Sequence, residues 1–168
     1  MEHRDVLPLS AMAISQHEHI RRYMGGDSQR RPTVDDTVGV LAGAVIAATG
    51  ALPWMGVIEA DGVVVGRVWL LPVPLGAVQD GAAVGVDPTV AEIGYWISEQ
   101  WCGRGIGTSA VRQAVAVAFD HLGLESVVAR VQSENAPSRR VLEQVGFVAG
   151  EQEGDWISVR IESVTSLV

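Results

Sequence analysis

Cysteine is nearly absent: Cys102 is the only one in 168 residues. One thiol excludes an internal disulfide and a cysteine-based zinc cluster, and it suits a reducing compartment, by default the cytoplasm. Positive charge is also scarce, with 12 Lys and Arg against 20 Asp and Glu and a net charge of −8. That balance argues against nucleic acid as a partner and favours a cationic or amine-bearing one. No apolar run reaches the ~20 residues of a membrane helix. The most apolar, Val38 to Leu52, is interrupted by Gly39, Gly43 and Gly50 and reads as a buried helix. Met1-Glu2-His3-Arg4-Asp5 is too polar to begin a secretory signal. No internal repeat is visible. No Gly-Lys-Ser or Gly-Lys-Thr is present, which removes the P-loop. What remains is hydrophobic content of 48%, enough for one sizeable core and a single domain over residues 1–168.

Hydrophobic periodicity and turn residues predict the elements in order. Val6, Leu7 and Leu9 suggest a short edge strand interrupted by Pro8. A helix over Ala11 to Met24 ends at Gly25-Gly26, Asp27 to Thr33 form a polar loop, and Asp35 and Asp36 cap a helix running to about Thr49. Asp61-Gly62 between Trp54–Ala60 and Val63–Leu71 signals a hairpin. A proline- and glycine-rich loop leads to a strand over Ala91 to Ser98. Ser109 to Leu122 is an amphipathic helix with Val111, Val115, Ala118, Phe119 and Leu122 on one face, stopped by Gly123. A strand over Ser126 to Gln132 leads to Asn135 as a helix cap, a short helix ended by Gly146, and two further strands, Phe147 to Glu151 and Trp156 to Ser163. The predicted order is β-α-α-β-β-β-α-β-α-β-β, an α/β domain with a mixed, mostly antiparallel sheet.

The stretch Trp101-Cys102-Gly103-Arg104-Gly105-Ile106-Gly107-Thr108 lies between a strand and a helix. Its glycines permit positive φ and close approach of a ligand to the main chain, and the helix N-terminus beyond supplies free N–H groups and partial positive charge. This suits a phosphate or pyrophosphate, with Arg104 adding a full charge. An ordinary glycine-rich connection would look the same. Gly105-Ile106-Gly107-Thr108-Ser109-Ala110 also satisfies the dinucleotide fingerprint G-x-G-x-x-A, with Glu134 as a ribose carboxylate. The setting does not fit, because Glu99 to Arg104 intervene after the strand and hairpins replace βαβ units.

Three segments together, Ala91-Glu92-Ile93-Gly94-Tyr95-Trp96-Ile97-Ser98, the glycine stretch, and Ser133-Glu134-Asn135-Ala136-Pro137-Ser138-Arg139-Arg140-Val141-Leu142-Glu143-Gln144-Val145-Gly146-Phe147, resemble the GNAT acetyltransferase superfamily. Within it they look most like the RimJ/RimL-type N-terminal acetyltransferases. The resemblance implies the GNAT fold and an acetyl-CoA-dependent N-acetyltransferase needing no metal, with an amine acceptor, first a peptide N-terminus. A small cationic amine such as an aminoglycoside or polyamine, or a catalytically idle CoA-binding domain, are the alternatives. A homodimer is compatible with it.

The resemblance also implies roles for particular residues. Backbone amides around Gly103, Arg104, Gly105, Ile106, Gly107 and Thr108 would hold the pyrophosphate of acetyl-CoA. The main chain of Ile97 and Ser98, and the side chain of Asn135, would hold the pantetheine arm. Ser138 would protonate the departing thiolate. Arg139 and Arg140 would meet CoA phosphates, Arg140 in particular. The family pattern Q/R-x-x-G-x-G/A places Cys102 where Gln or Arg is expected, a departure expected to weaken CoA binding modestly. No histidine is near Cys102 in sequence, which argues against a thiol nucleophile. The reaction needs a neutral amine, and Glu92, on one strand face with Gly94, Trp96 and Ser98, is the candidate base. A solvated strand-end charge is the plainer reading of Glu92. His17 and His19, two residues apart, read as surface residues rather than metal ligands, though the first helices could touch substrate.

Overall fold

The computed structural model describes residues 6–23, 52–75 and 85–164. The predicted loop over 27–33 and the predicted helix over 35–49 lie outside them. The chain opens with α1 (Val6–Ser15) and α2 (His17–Tyr23). The two run almost continuously, since Gln16 N–H donates to Met12 O at 2.8 Å and Ile20 N–H to Gln16 O at 2.9 Å. The strand predicted at Val6, Leu7 and Leu9 is therefore helix. Pro8 falls in the first turn of α1, where an amide would have no intrahelical acceptor and a fixed φ is tolerated.

β1 (Trp54–Ala60) and β2 (Val63–Pro74) form the predicted hairpin. Asp61 and Gly62 take φ of 52° and 74°, so both central residues are left-handed, as a tight hairpin turn requires. β3 (Val86–Ile97) starts five residues before the predicted Ala91, and β2 continues past the predicted Leu71 through Pro72 and Pro74. The prolines are accommodated because the β2–β3 register breaks between Pro72 and Val73.

After a 3-10 turn, Glu99–Trp101, comes α3 (Ile106–Ala116), which starts inside the glycine stretch, three residues before the prediction. A π-helical turn, Val117–His121, extends it to Gly123. β4 (Ser126–Gln132), α4 (Ala136–Val145), β5 (Val148–Glu153) and β6 (Trp156–Glu162) complete the described chain.

The six strands make one sheet in the order β1-β2-β3-β4-β6-β5. Only β3 and β4 are parallel; every other neighbouring pair is antiparallel. Side chains alternate across the sheet and divide the core. Ala91, Ile93 and Ile97 of β3 and Val127, Ala129 and Val131 of β4 are buried with Val111, Ala114 and Val115 of α3 and Leu142 of α4. Fully burying such a valine or leucine contributes about 1.5–3 kcal/mol. The opposite face carries Trp69 and Trp96, covered by Met12, Ala13 and Ile20 of α1 and α2. The sheet is thus sandwiched between two helical layers of different chemistry, aliphatic on one side and indole-rich on the other.

Candidate functional site

The parallel strands β3 and β4 pair over three residues only, Val90 with Ser126, Ala91 with Val127 and Glu92 with Val128. Beyond that point β3 stays with β2 as far as Ile97, and β4 stays with β6 as far as Gln132. Each strand is held by its other neighbour, so the sheet splits into two halves with a cleft between them. Strand alternation turns the main-chain groups of Tyr95 and Ile97 toward this cleft, since Ser98 N–H, one residue on, points the other way to Val65 O at 2.8 Å. Main-chain groups that no neighbouring strand pairs seek other partners, and an extended ligand with amide groups would supply them. Of the two residues predicted to offer main chain here, Ile97 faces the cleft. The Ser98 amide is committed to β2 and its carbonyl accepts from Trp101 N–H at 2.9 Å.

The glycine stretch closes one end of the cleft. Gly103 and Gly105 have φ of 75° and 78°, and a Cβ built on either would meet nothing within 4 Å. Backbone conformation, not crowding, demands glycine at both, and the space outside them is open. Gly105 is the N-cap of α3, and the first intrahelical bond runs from Ser109 N–H to Gly105 O at 3.0 Å. The amides of Ile106, Gly107 and Thr108 precede that bond and so have no intrahelical acceptor, the arrangement by which a helix N-terminus can receive an anion. At Gly107 packing is tight: a Cβ would lie 3.4 Å from Ile97 Cδ1 and from Val141 Cγ2. The absent side chain lets the N-terminus of α3 sit directly against β3 and α4. Thr108 Oγ1 donates to Gln144 Oε1 at 2.9 Å and fastens the same junction. Arg104 stacks on the Trp101 ring, 4.8 Å from its centroid, which keeps a cation beside the loop.

The far wall is built from α4. Asn135 caps it, its Oδ1 accepting from Ser138 N–H at 3.1 Å. Ser138 Oγ lies 2.7 Å from the Tyr95 hydroxyl, which also reaches Ser138 O at 3.3 Å. Burial pushes the Tyr95 pKa up to about 12, the bond to Ser138 acting in the opposite direction, so the phenol stays protonated and able to donate. Sequence reading missed Tyr95, because its partner is 43 residues away. Arg139 Nη1 donates to Ser133 O at 3.0 Å and tightens the turn before α4. Arg140 is exposed on the same helix.

Glu92 is on the other face of the sheet, with Trp96. Its Oε1 lies 3.3 Å from Arg130 Nε, and the side chains are 38% and 68% exposed respectively. An ion pair so open to water contributes about 0–1 kcal/mol and is easily exchanged. Glu92 and Ser138 therefore stand on opposite faces, with the cleft passing between them.

Sequence distance also concealed the surroundings of Cys102. His19 Nε2 is 4.0 Å from its Sγ, brought there from 83 residues away. The thiol points instead to Ile97 O at 3.8 Å and Ser98 O at 3.6 Å. Burial first, and the Glu99 carboxylate second, raise its pKa, so the arrangement holds a thiol and not a thiolate. His17, read from the sequence as a surface residue, has a buried Nε2. No group of three or more metal-ligating side chains comes together among the described residues.

The family model described as an acetyltransferase (GNAT) domain matches residues 1–148. YdaF of Bacillus subtilis, provisionally named a ribosomal N-acetyltransferase, is 39% identical over 69 residues, 41% of this chain and 38% of that protein. The chain thus matches well under half of this curated relative. Among solved structures, Mycobacterium smegmatis RimJ in complex with CoA-disulfide is 27% identical, with a TM-score of 0.76 over 99% of this chain and 81% of that one. A ribosomal-protein-S5-alanine acetyltransferase from Vibrio fischeri shares the fold at 17% identity, with a TM-score of 0.79 over 96% of this chain and 90% of the other.

Proposed function

The chain belongs to the acetyltransferase (GNAT) family, and from that premise we propose that it moves an acetyl group from acetyl-CoA to a primary amine, foremost the N-terminal amine of a peptide or protein. The observation that carries the reading is the β3–β4 cleft, closed at one end by the glycine stretch and walled by the Tyr95–Ser138–Asn135 group. The residues fit the cosubstrate. Amides from Gly103 to Thr108 would hold its pyrophosphate, and the main chain of Tyr95 and Ile97 would hold its pantetheine amides. When bound, acetyl-CoA supplies an acyl group activated as a thioester.

The protein's own contribution is proton management and orientation. Glu92 takes a proton from the incoming amine, directly or through water, on the indole-rich face. Ser138 would give its hydroxyl proton to the departing sulfur on the other face, solvent returning a proton to Ser138 Oγ as Glu92 releases one, and Tyr95, hydrogen-bonded to Ser138 Oγ, holds that hydroxyl in place. Asn135 orients Ser138 through its backbone amide. Arg140 lies on α4 within the element that would meet the CoA phosphates. A reducing cytoplasm suits the free Cys102 thiol. The provisional ribosomal name of YdaF and the likeness to RimJ support a protein acceptor.

The solvent-exposed position of Glu92, whose neighbour is the surface cation Arg130, favours a second reading, a CoA-binding domain without a working base. Thiol release from acetyl-CoA, measured against peptides with different N-terminal residues, aminoglycosides and polyamines, with CoA binding followed by calorimetry, separates the two. Turnover on peptides supports the proposal, and turnover on small amines alone moves the acceptor class. CoA binding without turnover on any amine supports the second reading. The 168 residues contain no lysine, so self-acetylation of lysine cannot contribute to the signal.

A further inference from the structure

Arg67 is the cation on β2 that the proposed reaction does not use. It is half-buried, its Nε is buried with no hydrogen-bond partner, and its guanidinium lies over the Trp69 ring, 4.6 Å from the centroid. Burial lowers its pKa to about 10, which leaves it charged at neutral pH. A buried guanidinium N–H left without an acceptor is costly, and stacking on an indole offsets only part of that cost.

Its position relates it to the cleft. Trp69 is opposite Gly94, and a Cβ on Gly94 would fall 2.6 Å from the indole Nε1. The indole therefore lies flat across β3, just past Glu92, the last residue that β3 pairs with β4. Arg67 rides on that indole, on the sheet face that also carries Glu92. The helices above supply a second orphan. His17 shares one helical face with Ala13 and Ile20, which pack on the Trp69 and Trp96 pair, and its Nε2 is buried without a partner. Two side chains with a buried, unpartnered nitrogen thus belong to the two layers that meet at the Trp69 and Trp96 pair, on the sheet face that carries the candidate base.

We infer that Arg67, assisted by His17, binds a carboxylate carried by the acceptor, so that the preferred substrate is an amine with an acidic group a short distance along its chain. The inference rests on the acetyl-transfer reading for what happens to the amine, but the binding preference stands apart from turnover. Arg67 pairs with Trp96, and Glu92 with Leu71. The two are thus four residues apart along the strands, about 13 Å between backbones, and the Arg67 guanidinium, lying over Trp69, shortens that gap. At about 3.3–3.6 Å per extended residue, an acidic side chain at the second or third position of a peptide spans the remainder. An amino acid's own α-carboxylate offers the same chemistry at shorter range.

The test is calorimetric binding, with CoA present, of three ligands to the full chain: a peptide beginning Ser-Glu, the same peptide beginning Ser-Gln, and free serine. Acetylation rates for each are measured alongside. The wild type is expected to bind the Glu peptide at least about tenfold more tightly than the Gln peptide. Arg67→Met should erase that difference while keeping the Gln peptide and CoA affinities, and Arg67→Lys should restore part of it. Equal affinity of the wild type for the two peptides, within about twofold, overturns the inference. So does an Arg67→Met variant that loses both peptides alike, and if that variant does not fold, the wild-type comparison decides. Preference for free serine would assign the carboxylate to an amino acid. Selective binding of the Glu peptide with no acetylation of any ligand would uphold this site while overturning the acetyl-transfer reading.

Discussion

Gly94→Ala tests the arrangement most sharply, because one methyl group meets the Trp69 indole on which Arg67 rests. In the native strand the Trp69 indole occupies the space where a Cβ would be, with Nε1 2.6 Å from the built atom and two ring carbons nearer still. A real Cβ cannot share that space, and Trp69, only 9% exposed, has no solvent-filled route out. Forcing an extra group into a filled site costs about 1–3 kcal/mol. Displacing the indole from beneath Arg67 forfeits about 0.5–1 kcal/mol more. Removing glycine from a strand returns about 0.5–1 kcal/mol through the unfolded chain. The net expectation is a loss of about 1–3 kcal/mol, which for a chain of this size lowers Tm by about 2–12 °C. Thermal melts followed by tryptophan fluorescence would show the lower transition and altered native emission. CoA affinity should change little, since the glycine stretch and α4 lie on the other side of the sheet, while acceptor KM should rise. A Gly94→Ala protein with unchanged Tm, native emission and acceptor KM would refute the placement of Trp69 across β3.

Tyr95→Phe removes the hydroxyl that meets Ser138 Oγ and should lower kcat about tenfold with CoA affinity retained, measured by steady-state kinetics and calorimetry. The same variant has a pH signature. The folded Tyr95 pKa of about 12 exceeds its ordinary 10, so above pH 10 the unfolded chain ionises this phenol while the folded chain does not. Wild-type stability should fall between pH 10 and 12 by about 2–3 kcal/mol on this account, and denaturant melts of Tyr95→Phe should lack that part of the loss. Asn135→Ala deletes the cap on α4 and should cost about 1 kcal/mol in a urea melt, with CoA affinity also reduced. Glu92→Gln should lower kcat and flatten the acidic limb of its pH profile, and a variant with full kcat and an unchanged profile would remove Glu92 from the chemistry.

The features that could be read from the sequence are those settled within a few residues. Asp61-Gly62 had to turn left-handed between two strand-forming runs, Gly103 and Gly105 had to take positive φ, Asn135 had to cap a helix, and Ser126 to Gln132 alternated as a strand must. Each follows from steric limits on φ or from the two-residue period of a strand, so no distant contact was needed. The prediction failed where two local solutions compete. Val6 to Leu9 can be an edge strand or a first helical turn, and the packing of Met12, Ala13 and Ile20 on Trp69 and Trp96 decided for helix.

The site itself divides along the same line. Its glycine loop is a local object and was visible in Trp101 to Thr108. Its depth is not local. The parting of β3 from β4, the bond between Tyr95 and Ser138, the approach of His19 to Cys102 and the bed that Gly94 makes for Trp69 and Arg67 all join residues far apart in the chain. Such contacts carry no signal at either partner taken alone, because what decides them is which strand neighbours which and which face each side chain takes. The amino-acid order determined the elements, the glycine loop and the family. Only the tertiary structure decided that Glu92 and Ser138 stand on opposite faces of one split sheet, and that Arg67 lies over Trp69 on the face that carries Glu92.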